Sequence, residues 1–277
     1  MKVKRHRASC LLRFLVWGAA AVTFFILAAL IVYILWKGVP HLRAELFAWE
    51  YTSENLSMMP ALVNTLLLTA GALALAVPVS IGSAVYLVEY VRRGSRFAGM
   101  VRLAAETLAG IPSIVYGLFG YLVFGRTLGY SMLSGILTVS IMVLPTILRT
   151  TETALQAVPD AYREGSFGLG AGRLRTVRCV VLPSAVPGIV AGVILAVGRI
   201  VGETAALIFT AGTAAQLGGL MTSGRTLSVH MYALWNEGLH MESAYAAGVV
   251  LLGLVLCINA AAASLSKRYS NREGTKE

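Results

Sequence analysis

An arginine and a glutamate lie four residues apart inside a long apolar segment, which reads VGRIVGETAAL at residues 197–207. Positions four apart share one face of an α-helix, so this spacing predicts an ion pair between Arg199 and Glu203. Each charge at the centre of a bilayer costs about 2.5–3.5 kcal/mol on insertion scales, and charges at that depth usually mark a substrate or ion path. A structural pair that braces two helices is the alternative interpretation.

The side chain of Arg199 indicates which class of ligand such a path would carry. A guanidinium presents a planar fork of N–H donors that fits two oxygens of a tetrahedral anion, and it stays charged at every physiological pH. The residue therefore favours phosphate, sulfate or a related oxyanion over a sugar. The chemistry of one arginine does not choose among these oxyanions.

A membrane must position these residues, because the chain is too apolar for a soluble protein. Of its 277 residues, 57% are hydrophobic and 13% are charged, whereas soluble proteins have about 25% charged residues. The apolar residues come in blocks long enough to cross a bilayer as helices, and they do not alternate as in a barrel. The sequence thus predicts an all-α, polytopic membrane protein with six transmembrane helices, at Phe14–Trp36, Pro60–Val88, Thr107–Gly125, Thr127–Leu148, Ser184–Gly212 and Ser243–Ser266.

The placement of lysine and arginine predicts how these helices are oriented. Eighteen of the 23 basic residues lie before the first span, between the second and third, between the fourth and fifth, or after the sixth. Four lie in the other connections. This asymmetry predicts that both termini lie in the cytoplasm. The chain is expected in the inner or plasma membrane of the cell. Orientation also accounts for the net charge of +10. No basic stripe interleaved with aromatic residues points to a nucleic-acid partner.

The connection between the fourth and fifth spans, residues 149–183, is unusually long for a loop. Pro159 and Asp160 suit the start of a helix, and a glycine cluster follows at residues 168–172. The segment is expected to form a helix, a glycine elbow and a second helix on the cytoplasmic surface of the membrane. A structured loop on the basic side of the chain could dock onto a cytoplasmic partner.

This loop resembles the E-A-A-x3-G-x9-I-x-L-P motif of membrane subunits of ATP-binding-cassette (ABC) importers. The matching positions are Glu164, Gly170, Val180, Leu182 and Pro183, with Gly165 and Ser166 in place of the two alanines and Val180 in place of isoleucine. The resemblance implies a type I (MetI-like) permease core. It also implies that the loop is the coupling helix, which sits in a cleft of a separate ATPase subunit.

Three further stretches resemble the A-type membrane subunit of the phosphate-specific importer, the PstA family. They read AGIPSIVYGLFG at 109–120, LPTILRTTETALQAVP at 144–159 and GRIVGETAALIFTAG at 198–212. With the loop motif, they span most of residues 60 to 265. The resemblance implies phosphate import together with a second permease subunit in a heterodimer, an ATPase dimer and an extracytoplasmic phosphate-binding protein. It also assigns roles in phosphate movement to Arg149 and Arg199.

Arg149 has a simpler interpretation, because it ends the fourth span on the cytoplasmic side, where arginines commonly extend to the interface. Glu106, at the cytoplasmic end of the third span, is a possible partner for it. The predicted organisation has three parts. Residues 1–59 hold the N-terminal segment, first helix and outer loop, residues 60–266 form the permease domain with its coupling loop at 149–183, and residues 267–277 form a cytoplasmic tail.

Three other functions, another permease, a secondary transporter and a membrane enzyme, can be compared with the sequence. A permease for sulfate, molybdate or phosphonate, or the sister permease of the phosphate system, is the alternative within the same class. A proton-coupled secondary transporter would favour inverted repeats, which are not apparent. A membrane-embedded enzyme would need a set such as H-E-x-x-H or paired intramembrane aspartates, and the only aspartate is Asp160.

The chain is not expected to hydrolyse ATP or to hold a cofactor or metal. It has no G-x-x-x-x-G-K-[ST] motif to cradle nucleotide phosphates, so a partner is expected to supply ATP hydrolysis. Its three cysteines form no C-x-x-C pair. His230, Glu237, His240 and Glu242 have no spacing typical of a metal site, and we interpret them as part of a solvated outer loop.

Overall fold

The structure, a computed structural model, describes residues 2–92, 94–238 and 240–274, and the regular elements within these residues are all helical. The α-helices are α1 (Lys2–Gly38), α2 (Met59–Val85), α3 (Arg96–Ala109), α4 (Ser113–Gly120), α5 (Arg126–Leu128), α6 (Met132–Gln156), α7 (Asp160–Gly168), α8 (Arg173–Thr176), α9 (Leu182–Val201), α10 (Ala205–Thr210), α11 (Leu227–Glu237) and α12 (Met241–Gly274). Short 3-10 turns occupy Val39–His41 and Ala44–Phe47, and π-turns occupy Tyr86–Tyr90, Tyr121–Gly125 and Val177–Val181.

Five helical segments of the described chain are long and apolar enough to cross a bilayer, which confirms the all-α, polytopic class. They are Leu12–His41, Met59–Tyr90, Met132–Gln156, Arg173–Val201 and Met241–Ser264. A sixth span is reached only if α3 and the segment Ser113–Leu128 count together, and these two are bent by 101°. Residues 275–277 of the predicted tail lie outside the described residues.

The prediction of one continuous helix from Thr107 to Gly125 was wrong. Helix α3 ends at Ala109, and α4 begins only at Ser113. Pro112 explains the break, because proline lacks an N–H for the helix ladder and keeps the residue before it out of the helical region. The apolar run is uninterrupted in sequence, so hydropathy does not reveal this bend.

The prediction of one helix from Ser184 to Gly212 was also wrong. A continuous helical path runs from Arg173 through the π-turn into α9 and ends at Val201. The chain then breaks at residues 202–204, and α10 starts at Ala205. The segment that carries the charged residues is therefore a helix end followed by a new helix start.

Buried apolar residues of α2, α6 and α9 form the central core, which also takes in residues of α4, α10 and α11. Helix α4 approaches α10 so closely that a Cβ on Gly117 would lie 2.8 Å from the Cα of Ala206. A larger residue at position 117 would push the two helices apart. This contact holds α10 against the rest of the bundle.

Helices α6 and α9 pack antiparallel in a register that two glycines define. The nearest atoms to a Cβ on Gly188 belong to Ala154, and those to a Cβ on Gly192 belong to Thr150. Along the interface, residue numbers therefore rise on α9 as they fall on α6. This register fixes the relative depth of residues on the two helices.

Helix α1 stands away from the bundle, with most side chains between residues 12 and 36 exposed. It meets α12 near its end, where the hydroxyls of Tyr33 and Tyr245 lie 3.2 Å apart. A wide apolar surface of α1 is therefore left for lipid or another membrane chain.

Candidate functional site

Arg199 lies in the last turn of α9, two residues before the helix ends at Val201. A cation in this position is favoured by the partial negative charge of the helix C-terminus. The side chain is half-buried, and within the described residues it makes no ion pair or hydrogen bond. Its charge acts on the hydroxyl of Tyr116, which itself donates a hydrogen bond of 2.8 Å to the carbonyl of Leu108.

Glu203 does not pair with Arg199, so the predicted helical ion pair was wrong. Its carboxylate Oε1 accepts a hydrogen bond of 3.0 Å from the backbone N–H of Ala206, in the first turn of α10. Its own carbonyl accepts a bond of 2.6 Å from the hydroxyl of Ser228 on α11. With 8% of its surface exposed, Glu203 caps a new helix and ties it to α11.

Arg149 lies on an exposed face of α6 and pairs with Glu106 of α3, with 3.5 Å between Nη2 and Oε2. This confirms the pairing expected for the two residues. Their side chains are 47% and 63% exposed, so the contact is a surface ion pair worth at most about 1 kcal/mol. Such a weak pair can open at little cost.

Arg149 and Arg199 lie at different depths. Thr150, the neighbour of Arg149, contacts Gly192 of α9. At a rise of about 1.5 Å per residue, Arg199 lies roughly 10 Å further along that helix. The two arginines therefore lie at different depths of the bundle and do not form one cluster.

The loop between α6 and α9 adopts the predicted arrangement of helix, glycine elbow and helix. Helix α7 begins at Asp160, and its end is a Schellman motif with Gly170 at φ +82°. The N–H of Gly170 donates to the carbonyl of Phe167 (2.9 Å), and that of Ala171 donates to Ser166 (3.1 Å). The left-handed backbone at residue 170 explains the glycine there, because a side chain would strain it.

The other motif positions divide between surface and interior. Glu164 and Gly165 are exposed on α7, and Ser166 shares a hydrogen bond of 2.8 Å with Thr176 on α8. Val180, Leu182 and Pro183 are half-buried within the helical path that leads into α9. The loop also exposes four large apolar side chains, those of Tyr162, Phe167, Leu169 and Leu174.

An ion pair that is largely shielded from water ties α7 to the rest of the chain. Arg163 directs Nε and Nη2 at Glu89 in the π-turn after α2, with an Nη2–Oε1 distance of 2.8 Å. The same guanidinium donates to the carbonyls of Leu155 (2.9 Å) and Val158 (2.7 Å), where α6 ends. One side chain thus joins the ends of α2 and α6 to α7.

A second ion pair lies beside it, between Arg102 of α3 and Glu152 of α6, at 2.5 Å. Together the two pairs border a cleft of about 690 Å³ beneath α7. No residue of α7 is itself buried. The helix therefore lies over the cleft and is held mainly by its polar contacts.

The outer segment differs from the predicted solvated loop. His230 is fully buried in α11, and burial, assisted by the charge of Arg225, lowers its pKa to about 3. Glu237 is exposed, and Glu242 contacts His41, with 3.2 Å between Nε2 and Oε2. Among the described residues, no cluster of three or more His, Cys, Asp or Glu could hold a metal ion.

A helical membrane chain with a glycine-terminated helix, α7, lying over a cleft in its bundle has the architecture of an importer permease, and comparison with known proteins agrees. The family described as "Binding-protein-dependent transport system inner membrane component" matches residues 76–271. The chain therefore belongs to this family of ABC importer permeases. Its fold is shared with a chain of the MetNI methionine ABC transporter, solved in inward-facing conformations, at TM-score 0.60 and 22% identity over 76% of this chain and 93% of that one.

Proteins with similar sequences indicate which permeases within this family the chain resembles. The probable ABC transporter permease protein YqgI of Bacillus subtilis is 32% identical over 88% of this chain and 90% of its own length. The phosphate transport system permease protein PstA 2 of Mycobacterium tuberculosis is 37% identical over 71% of this chain and 67% of its own length. The resemblance to the PstA family is thus confirmed.

Sequence reasoning missed the residues that hold the coupling helix. Glu89 follows directly on an apolar run, and Arg163 directly precedes Glu164 of the motif, and the sequence analysis predicts no partner for either. A lone glutamate at the end of a span and an arginine beside a docking motif could have suggested the pair. Arg225 and His230 carried no signal in the sequence that distinguished them from exposed residues.

Proposed function

We propose that this chain is the permease subunit through which an ABC importer moves inorganic phosphate into the cytoplasm. The observation that carries the proposal is Arg199, a half-buried arginine without an ion-pair partner among the described residues, at the end of a membrane helix. Its guanidinium fork suits a tetrahedral oxyanion. The PstA relatives support phosphate as that anion.

In this proposal, Arg199 and Arg149 act in sequence along the path. Phosphate meets Arg199 first and then Arg149, roughly 10 Å further toward the cytoplasm. The Arg149–Glu106 pair is exposed and weak, so an arriving phosphate can replace Glu106 as the acceptor. Glu203 acts indirectly, by fixing the start of α10 and hence the end of α9.

The exposed apolar residues of α7 and its elbow form the surface on which a separate ATPase dimer docks. Glu164, Gly165, Ser166 and Gly170 belong to this surface, and Val180, Leu182 and Pro183 pass the movement into α9. The Arg163–Glu89 pair passes movement of α7 to α2 as well, because it joins α7 to the π-turn at the end of α2 and is largely shielded from water. ATP hydrolysis belongs to the partner.

The remaining partners and the orientation complete the proposal. A second permease subunit pairs with this one in the lipid bilayer, and an extracytoplasmic phosphate-binding protein delivers substrate to the outer side. Both termini lie in the cytoplasm, as the basic residues indicate. Residues 60–266 form the permease domain, flanked by the N-terminal helix and the tail.

Competition for uptake tests the substrate. The assembled transporter, reconstituted in liposomes with ATP inside, should take up labelled phosphate and should be unaffected by equimolar sulfate, molybdate or a phosphonate. Uptake of one of those anions in preference to phosphate would overturn the assignment and leave the permease class intact.

A further inference from the structure

Arg225 is buried at the end of the helix bundle opposite the loop between α6 and α9. The carbonyl of Arg225 accepts a hydrogen bond of 3.0 Å from Asn64 near the start of α2, whereas Glu89 lies after the end of α2. Arg225 is 5% exposed, and His230, one turn into α11, is 0% exposed. Both belong to the outer side in the proposed orientation.

The polar atoms of these two side chains have no hydrogen-bond partner among the described residues. For Arg225 they are Nε and Nη2, and for His230 they are both ring nitrogens by hydrogen-bond geometry. The backbone of Leu56 lies close enough to the His230 ring to oppose the lowering of its pKa, so the unpartnered edge of Arg225 is the stronger observation. The ring of Tyr51 lies 4.6 Å from the guanidinium carbon and 6.2 Å from the His230 ring. Tyr51 therefore covers one face of the guanidinium and leaves its N–H edge without an acceptor.

The two atoms, Nε and Nη2, form the edge of the guanidinium that binds an oxyanion in bidentate fashion. Arg163 uses this same edge to bind the carboxylate of Glu89. No carboxylate of the described residues occupies the corresponding place at Arg225. An uncompensated buried cation is costly, so a ligand with two acceptor oxygens would stabilise this arrangement.

His230 complements such a ligand. Because its pKa is lowered to about 3, first by burial and then by the charge of Arg225, its ring is neutral at physiological pH. A neutral imidazole donates one hydrogen bond and adds no charge to the site. The two side chains thus offer a cationic fork and one neutral donor.

We propose that Arg225 and His230 bind a small tetrahedral oxyanion, inorganic phosphate, beneath Tyr51 on the outer side of the chain. The proposal rests on the proposed function, since phosphate import supplies this anion to that side. The hydroxyl of Ser228, three residues after Arg225, bonds to the carbonyl of Glu203, four residues after Arg199. The outer site is thus connected through two hydrogen-bonded segments to the helix end that carries Arg199.

Phosphate binding to the purified full-length chain in lipid nanodiscs tests the proposal. Thermal unfolding is followed against inorganic phosphate, with chloride at matched ionic strength, in an Arg199→Gln background that removes the first station of the path. Phosphate should raise the unfolding midpoint in a saturable way. Arg225→Lys, which keeps the charge and loses the fork, should weaken the apparent affinity at least tenfold. The matched change Arg43→Lys, at an exposed outer arginine, should leave it unchanged.

If Arg225→Lys does not unfold cooperatively, His230→Phe replaces it, and at least a threefold loss of affinity is expected. Equal phosphate affinity in the variant and its parent, or an equal shift with chloride, would overturn the proposal. Failure of the proposed function looks different, because the assembled transporter with the wild-type chain would then take up no phosphate. Intact uptake with phosphate binding insensitive to Arg225→Lys would reject the outer site alone.

Discussion

Replacing Glu89 by glutamine should release the coupling helix from the membrane bundle. Glu89 is 7% exposed and Arg163 is 14% exposed, so water screens the pair only weakly. Glutamine keeps the shape of the side chain and removes its charge. Arg163 is then left largely shielded from water, with neutral acceptors at Leu155 and Val158 and the exposed carboxylate of Asp160 at 3.4 Å.

The size of the effect follows from the burial of the pair. Removing one partner of a buried ion pair destabilises a protein by about 3–5 kcal/mol. Helix α7 has no buried residue of its own, so this loss should fall almost wholly on the local attachment of α7. A loss of about 3 kcal/mol corresponds to an increase of more than a hundredfold in the population of the detached helix.

Hydrogen exchange measures that population directly. The amides of residues 160–168 should exchange about a hundredfold faster in Glu89→Gln, while those in the core of α6 stay protected. The control is Glu242→Gln, which removes an exposed pair with His41 and should leave α7 unchanged. In the assembled transporter, Glu89→Gln should also lower the phosphate transported per ATP hydrolysed. Unchanged exchange of α7 in Glu89→Gln would refute the claim that this pair holds the helix.

Three further predictions concern single residues. Glu203→Ala removes the acceptor for the N–H of Ala206 and should cost about 1 kcal/mol of unfolding free energy, whereas Glu203→Gln keeps an oxygen and should cost less, as thermal unfolding of the two variants would show. In the unfolded chain the imidazole of His230 takes up a proton below its ordinary pKa of about 6.5, whereas in the folded chain it stays neutral down to about pH 3. The free energy of unfolding should therefore fall by about 2 kcal/mol from pH 7.5 to pH 5. His230→Asn should remove that part of the pH dependence. Gly170→Ala should lower the free energy of unfolding by about 1 kcal/mol, because residue 170 has φ +82°. Gly168→Ala, within α7 and with open space around it, should not lower it. Gly170→Arg should in addition abolish copurification of the ATPase. An equal effect of the two alanine variants, or a pH profile unaltered by His230→Asn, would contradict the respective argument.

The class of fold could be predicted because hydropathy and charge act over whole segments. The long apolar runs around α1, α2, α6 and α12 had to cross the membrane as helices, since only helices satisfy their own backbone there. The elbow at Gly170 was also predictable, because a glycine in that place permits a left-handed backbone. These features depend on residues close together in the sequence.

The helix breaks and the ion pairs depend on contacts that the sequence does not display. The spacing of Arg199 and Glu203 suits a helix, yet Glu203 instead caps α10 through Ala206. Arg163 finds its partner 74 residues earlier in the chain, and Tyr51 covers Arg225 from the outer loop. Such pairings become visible only when the packing of the helices is known.

Phosphate uptake by an assembled transporter that carries Arg199→Gln tests the central claim most directly. The variant should assemble with its partners, and its ATPase should stay active, because Arg199 makes no ion pair or hydrogen bond with the described residues. The proposal predicts that phosphate uptake is abolished, with Arg199→Lys showing sharply reduced uptake because the charge stays and the fork is lost. Uptake at the wild-type rate in an assembled, ATPase-active Arg199→Gln complex would contradict the assignment of Arg199 to the phosphate path.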